Sequence, residues 1–191
     1  MFAVILALVG AAVYVGSFLY YMALQIKGGI KPAFSTWAIW ALLTIANVVT
    51  YRSVSKEWTE SLNVYASVAM NCGVFLIALG SRRFKRLEKI DYIIMAGALV
   101  SLVLYVVTPP GPIPNLIVCA LVYVSILPTV DGLKMGTGKE EDLPWLLFTV
   151  SYLFFIAVIL VRHHVGWSIV FQAVGIIANG HVWYANRLRP R

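Results

Sequence analysis

Apolar residues run along this chain in seven stretches, at roughly 2–24, 33–51, 61–80, 90–108, 114–133, 143–161 and 165–186. Charged or Gly/Pro-containing segments separate them. Each stretch is close to the roughly 20 residues that an α-helix needs to cross a hydrocarbon core. The pattern predicts an all-α integral membrane protein with seven transmembrane helices. The first stretch stands where a secretory signal would, but no basic region precedes it, which predicts a retained helix. Composition agrees: hydrophobic residues make up 61% of the chain, charged residues 12%, and the mean hydropathy is +0.85. A water-soluble domain carries roughly 25% charged residues. Seven helices with short turns use up the 191 residues, so no soluble domain is expected.

The formal net charge of +7 points to membrane topology and away from nucleic acid. If the helices alternate in direction, one side receives Lys27, Lys31, Arg82, Arg83, Lys85, Arg86, Lys89, Lys134, Lys139, Arg187, Arg189 and Arg191. The other receives Arg52, Lys56 and Arg162, a split of 12 against 3 that uses all 15 basic residues. Basic loops stay in the cytoplasm, which predicts an outside amino terminus and a cytoplasmic carboxyl terminus, in the plasma or inner membrane. An even number of helices would destroy this sorting. Anionic lipid headgroups are the expected partners of the basic side. Cys72 and Cys119 both lie in apolar stretches and read as packed thiols, with no disulfide framework or metal spacing.

At an ungapped offset of 108 residues the first three helices fall on the last three. Ser17 meets Ser125, Leu19 meets Leu127, Gly28 meets Gly136, Lys31 meets Lys139, Trp37 meets Trp145 and Asn71 meets Asn179. Internal repeats of this kind are common in transporters. The expected plan is two parallel three-helix-bundle repeats plus a linker helix (3+1+3): 1–80, then a basic loop and linker at 81–112, then 113–191 with its basic tail. The linker has few polar residues (Ser101 and Tyr105). It ends in Thr108-Pro109-Pro110-Gly111-Pro112, which cannot continue a helix.

An amide inside a bilayer finds a partner or lines a cavity, because an unpaired one costs several kcal/mol. Asn71 and Asn179 lie halfway along the third and seventh helices, with the small residues Ser67 and Gly175 one turn earlier. Gln172, Gly175, Asn179, Trp183 and Asn186 share a face at helical spacing, as do Trp37, Trp40, Thr44, Asn47 and Tyr51. Trp145, Phe148, Tyr152 and Phe155 share the matching face of the sixth helix. These faces are expected to wall one central cavity. The competing reading makes each Asn a staple between helices and each outer Trp part of an interfacial belt. His181 falls opposite the Asn179 face, as expected of a packed or locally bonded side chain. His163 and His164 lie in an external turn without further metal ligands. Asp131, Glu140, Glu141 and Asp142 read as a solvated loop.

With its three-one-three plan, paired asparagines, and Trp37 and Trp145 opening the second and sixth helices, the chain resembles the SWEET and PQ-loop transporter superfamily. Its Trp37-Ala38-Ile39-Trp40 stretch followed by Asn47 is also similar to bacterial vitamin-precursor transporters of that fold. No enzyme activity and no cofactor are expected. The resemblance implies a facilitator or uniporter of a small polar solute, such as a sugar or vitamin-like molecule, by alternating access. Asn71 and Asn179 would contact the solute, and Trp37 or Trp40 and Trp145 would stack on it. Asn47, Tyr152 and Gln172 complete the candidate site. The hinge prolines of that family would correspond to Pro32, Pro128 and Pro144. The chain has no Pro-Gln dipeptide, and Tyr20 stands opposite Pro128 in the first helix. The alternative function is a receptor of the same fold that captures a ligand without transport. No lysine occurs within 165–186 to hold retinal, and no membrane-protease motif is present. Homo-oligomer formation is left open.

Overall fold

The computed structural model describes residues 1–109 and 111–188, without the side chains at 49, 50, 53, 101, 105 and 106. Pro110, the side chains of the linker residues Ser101 and Tyr105, and the tail residues Arg189 and Arg191 therefore lie outside the described residues. What is described is helical: α1 (Phe2–Lys27), α2 (Phe34–Val54), α3 (Trp58–Ser81), α4 (Lys89–Val107), α5 (Pro112–Val124), α6 (Leu127–Lys134), α7 (Asp142–Val161) and α8 (Ser168–Arg187). Among the described residues, four segments are long and apolar enough to cross a membrane, namely Phe2–Lys27, Trp58–Ser81, Pro112–Lys134 and Asp142–Val161. Large apolar side chains such as Ile5, Leu19, Leu42, Leu76, Leu99, Leu153 and Ile177 are exposed on the outer surface. Water would penalise such a surface, while lipid accommodates it. α8 is interrupted by Gln172, Asn179, His181 and Asn186, and is not among those four.

The fifth apolar stretch, expected as one helix over 114–133, is broken. Proline at position 128 has no N–H to give the carbonyl of Val124. The chain steps out of regular helix at Ser125 and Ile126, whose N–H groups bond Leu121 O (2.8 Å) and Tyr123 O (3.2 Å). The second helix covers the break. Thr36 Oγ1 donates to Ser125 O (2.7 Å), and Trp40 Nε1 donates to Ser125 Oγ (2.6 Å) and Val122 O (3.3 Å). A break within an apolar bundle is tolerated when a neighbouring helix satisfies the freed groups in this way. In α1 the residue at the matching position is Tyr20, and the helix runs unbroken for 26 residues.

α1 and α6 end on the matching glycines Gly28 and Gly136, at φ +77° and +72°. This left-handed conformation closes a helix and favours glycine, which has no Cβ to clash. The following loops meet each other. Lys31 N donates to Lys139 O (2.7 Å) and Lys139 N to Lys31 O (3.4 Å), while Lys85 N donates to Pro32 O (2.9 Å). These contacts gather the ends of α1, α3 and α6 and the starts of α2 and α7 at one end of the bundle, together with the basic loops. At the opposite end Arg162 pairs with Glu57 (2.9 Å), and Tyr51 Oη bonds Ser168 O (3.3 Å).

Between the ends, α3 packs against α1 and α2, and α8 packs against α5, α6 and α7. Contacts between the first and second groups of helices run mainly from α1 to α7 and from α2 to α5. The core where they meet is aromatic, built from Tyr14, Phe18, Tyr21, Trp37, Trp40, Trp145, Phe148 and Tyr152. In α1 this follows from the spacing of positions 14, 18 and 21, which keeps three rings on one face.

Candidate functional site

At mid-depth the core leaves a cavity of about 30 Å³, lined by Tyr14 and Phe18 of α1, Trp40, Leu43, Thr44 and Asn47 of α2, and Ser67 and Asn71 of α3. Val122 of α5, Phe148 and Tyr152 of α7, and Phe171 and Asn179 of α8 complete the wall. None of these residues is charged. The volume suits a water molecule, not a larger solute. Asn71 and Asn179 thus reach one cavity from different helices. Asn179 Nδ2 donates to Gly175 O in its own helix (2.7 Å). Asn71 Oδ1 is buried and has no hydrogen-bond partner among the described residues. An orphaned carbonyl oxygen facing a cavity is a costly group that a hydroxyl or N–H donor would satisfy. Gly175 lies where the Tyr152 ring packs against α8: a Cβ there would come within 2.5 Å of Tyr152 Cε1.

Toward the basic end, three indoles close the cavity. Trp37 and Trp40 have ring centroids 5.1 Å apart, and each lies 6.1 Å from Trp145. Behind them runs a hydrogen-bonded chain. Trp37 Nε1 donates to Tyr21 Oη (3.2 Å), Tyr21 Oη donates to Glu140 Oε1 (2.9 Å), and Trp145 Nε1 donates to Glu140 Oε2 (3.1 Å). Glu140 is buried in the loop before α7. Burial pushes its carboxyl up to about 8. The bonds from Trp145 and Tyr21 pull it down, and the neighbouring Glu141 pushes it up.

The opposite end closes with amides and a second buried carboxylate. Asn63 Nδ2 donates to Gln172 Oε1 (2.7 Å), and Gln172 Nε2 donates to Tyr51 Oη (3.0 Å). Beside them Ser55 Oγ donates to Glu60 Oε2 (2.7 Å), and His164 Nδ1 lies 3.1 Å from Glu60 Oε1. Glu60 is buried, and His164 is half exposed. Because the partners come from α2, α3, α8 and the loop before α8, these bonds hold four segments together.

The eight candidate binding residues therefore divide. Asn71, Asn179, Trp40, Asn47 and Tyr152 line the cavity. Trp37, Trp145 and Gln172 do not. Both outer tryptophans are fully buried against other rings, which also removes them from an interfacial belt, and the Gln172 amide is engaged at the opposite end. Of the candidate hinges, Pro128 alone coincides with a helix break. Pro144 lies in the first turn of α7, where a missing N–H costs nothing, and Pro32 precedes α2. His181 stays off the cavity: its ring stacks on Tyr123 at 6.2 Å, with Nδ1 3.4 Å from the phenol oxygen. Among the described residues no His, Cys, Asp and Glu cluster could hold a metal.

Among the described residues four charged side chains are buried, Glu60, Lys85, Asp91 and Glu140. Glu140 is sealed inside, not in a solvated loop. Nothing in the apolar pattern marks Glu60 as buried. Lys85, one of the residues assigned to the basic side, is fully buried, with Nζ 3.1 Å from Asp91 Oδ2 and 3.4 Å from Glu88 Oε2, while Ser35 Oγ bonds the other Asp91 oxygen. Lys85 had one legible signal: it stands between Phe84 and Leu87, with carboxylates three and six residues on. Glu60 and Glu140 each have one partner five residues away, Ser55 and Trp145, but the partners that enclose them from across the bundle, His164 and Tyr21, are more than 100 residues away and leave no local trace. Comparisons with protein-family models, curated proteins and solved structures found no match to this chain.

Proposed function

We propose that the chain is an integral membrane transporter, a facilitator or uniporter that passes a small, uncharged polar solute through the central cavity by alternating access. The observation that carries this reading is the cavity itself. It is uncharged, carries an unsatisfied amide oxygen, is walled by helices from both ends of the sequence, and is closed above and below by separate sets of contacts. These four features fit a transporter caught between its two open states. The rings would stack on the solute, and the Asn71 and Asn179 amides would bond its hydroxyl or amide groups. A volume near that of one water means that helices must part before a solute enters, and the covered break beside Pro128 is where α5 can bend.

Seven crossing segments in a 3+1+3 plan are part of the proposal. Several contacts support it, because they fall on residues 108 apart and so on a two-fold axis. Lys31 and Lys139 bond each other reciprocally, Trp37 and Trp145 approach each other, and Gly28 and Gly136 share one conformation. Exchanging the halves also turns the α1–α7 contact into the α5–α2 contact. The basic end would face the cytoplasm. A receptor that captured charged peptide ends would need charge in the cavity wall, and the wall has none. The test is flux into vesicles containing the purified protein, with a panel of sugars, nucleosides and carboxylates. Saturable entry of a neutral member is expected. Binding of a panel member without entry would replace the transporter with a receptor.

A further inference from the structure

Beside the closed basic end lies a second concavity, of about 480 Å³, lined by Lys27, Gly28, Ile30, Lys31, Arg82, Arg83 and Phe84. Four cations thus face one space, and no carboxylate lines it. The contrast with the adjacent Lys85 is sharp, since that ammonium is sealed between Asp91 and Glu88. Lys27, Lys31, Arg82 and Arg83 form no ion pair among the described residues, and all four are exposed. Their mutual repulsion favours an anion in the space between them.

The site is held in shape by the main chain. Arg83 Nη1 donates to Ile26 O at the end of α1 (2.9 Å), so one guanidinium is already placed. It lies 2.8 Å from where a Cβ on Gly28 would be, so residue 28 must be small for the guanidinium to stay. Lys31 is fixed through its backbone bond to Lys139 O (2.7 Å). Two guanidinium groups and two ammonium groups in one concavity match a phosphate better than a carboxylate, because phosphate offers more oxygens to the forked donors. We propose that this concavity binds the phosphate of an anionic phospholipid headgroup. α1 and α3, two of the segments fit to cross a membrane, both end at the concavity, which places it at headgroup depth. Ile26 and Leu79 are exposed on the helices leading to it and would meet acyl chains. The site rests on the chain crossing a membrane and is independent of what the central cavity carries.

The test is native mass spectrometry of the full chain in detergent with phosphatidylglycerol, phosphatidylcholine or inorganic phosphate. Phosphatidylglycerol is expected to stay bound where phosphatidylcholine does not, with inorganic phosphate much weaker. Replacing Lys27, Lys31, Arg82 and Arg83 with Gln should weaken phosphatidylglycerol at least about tenfold. Replacing Arg86, Lys89, Lys134 and Lys139 with Gln removes the same charge from the same end and should change it less than about twofold. If the first variant fails to fold, Lys27→Gln with Lys31→Gln leaves the Arg83–Ile26 bond intact and should still weaken binding about threefold. Equal losses in the two fourfold variants would overturn the site in favour of diffuse charge. Saturation by inorganic phosphate as tight as by the lipid would overturn the lipid as its source. Unchanged lipid retention in the folded double variant would overturn the proposal outright.

Discussion

The two ends of the central cavity are closed by different chemistry. At the basic end three indoles and a phenol pack together, and one buried carboxyl accepts hydrogen bonds from two of them. At the opposite end two amides, a phenol and the Glu60–His164 contact carry the closure. The first depends on burying large apolar area. The second depends on polar bonds with strict geometry and contributes little beyond them. A closure of rings loses stability when volume is removed, whereas a closure of amides loses it when a donor or acceptor is orphaned. The ends should therefore respond differently to the same kind of substitution.

The largest expected effect is at the ring end. Trp145→Ala empties the space between Trp37, Phe148 and Tyr21 and removes a donor to Glu140, and should cost about 3–5 kcal/mol of stability. Gln172→Leu keeps the volume at the other end but strands Asn63 and Tyr51, and should cost about 1–3 kcal/mol. Thermal unfolding of the purified variants measures both. A Gln172→Leu loss exceeding that of Trp145→Ala would reverse the comparison.

A pH titration sharpens it further. Glu140 is pushed up to about 8 in the folded protein, whereas the unfolded chain loses that proton near the ordinary carboxylate value of roughly 4.3. Between those values the folded state holds a proton that the unfolded state has released, so stability must fall as pH rises through the window and level off above about 8. Melting temperature followed from about pH 5 to about pH 9 should show this decline, and Glu140→Gln should flatten it. A decline of equal slope in the Gln variant would remove Glu140 as its source. The smallest effect belongs to Arg162–Glu57, a partly exposed pair at the amide end. Arg162→Gln should cost less than about 1 kcal/mol, and less again in high salt, by the same unfolding measurement.

Much of this organisation is legible in the sequence. The apolar stretches mark the helices to within a few residues, because twenty consecutive apolar residues have few alternatives. Gly28 and Gly136 mark the ends of α1 and α6, since few other residues take that conformation. The amides at 71 and 179 mark the cavity, because lone amides in apolar helices demand an explanation. What was not legible is which side of each aromatic position faces space. Trp37 and Trp40 share a helix face, yet one turn of helix separates a residue packed among rings from one lining the cavity. Pro128 signals a break, but the capping by Thr36 and Trp40 depends on a partner helix about 90 residues away. The buried Glu140 begins a run that reads Glu-Glu-Asp, a pattern that ordinarily belongs to a solvated helix start.

The central claim, that Asn71 and Asn179 serve a solute and not the fold, is tested most directly by uptake of the best-transported panel solute. Vesicles would contain the wild type, Asn71→Ala, Asn179→Ala or the double variant, with melting temperatures measured alongside. Each single substitution is expected to weaken apparent affinity roughly 5- to 150-fold, which corresponds to about 1–3 kcal/mol for a lost hydrogen-bonding partner. The melting temperature should hardly move, and the double variant should show no uptake. Undiminished uptake together with additive losses of stability would show that the amides staple helices, and would contradict the account.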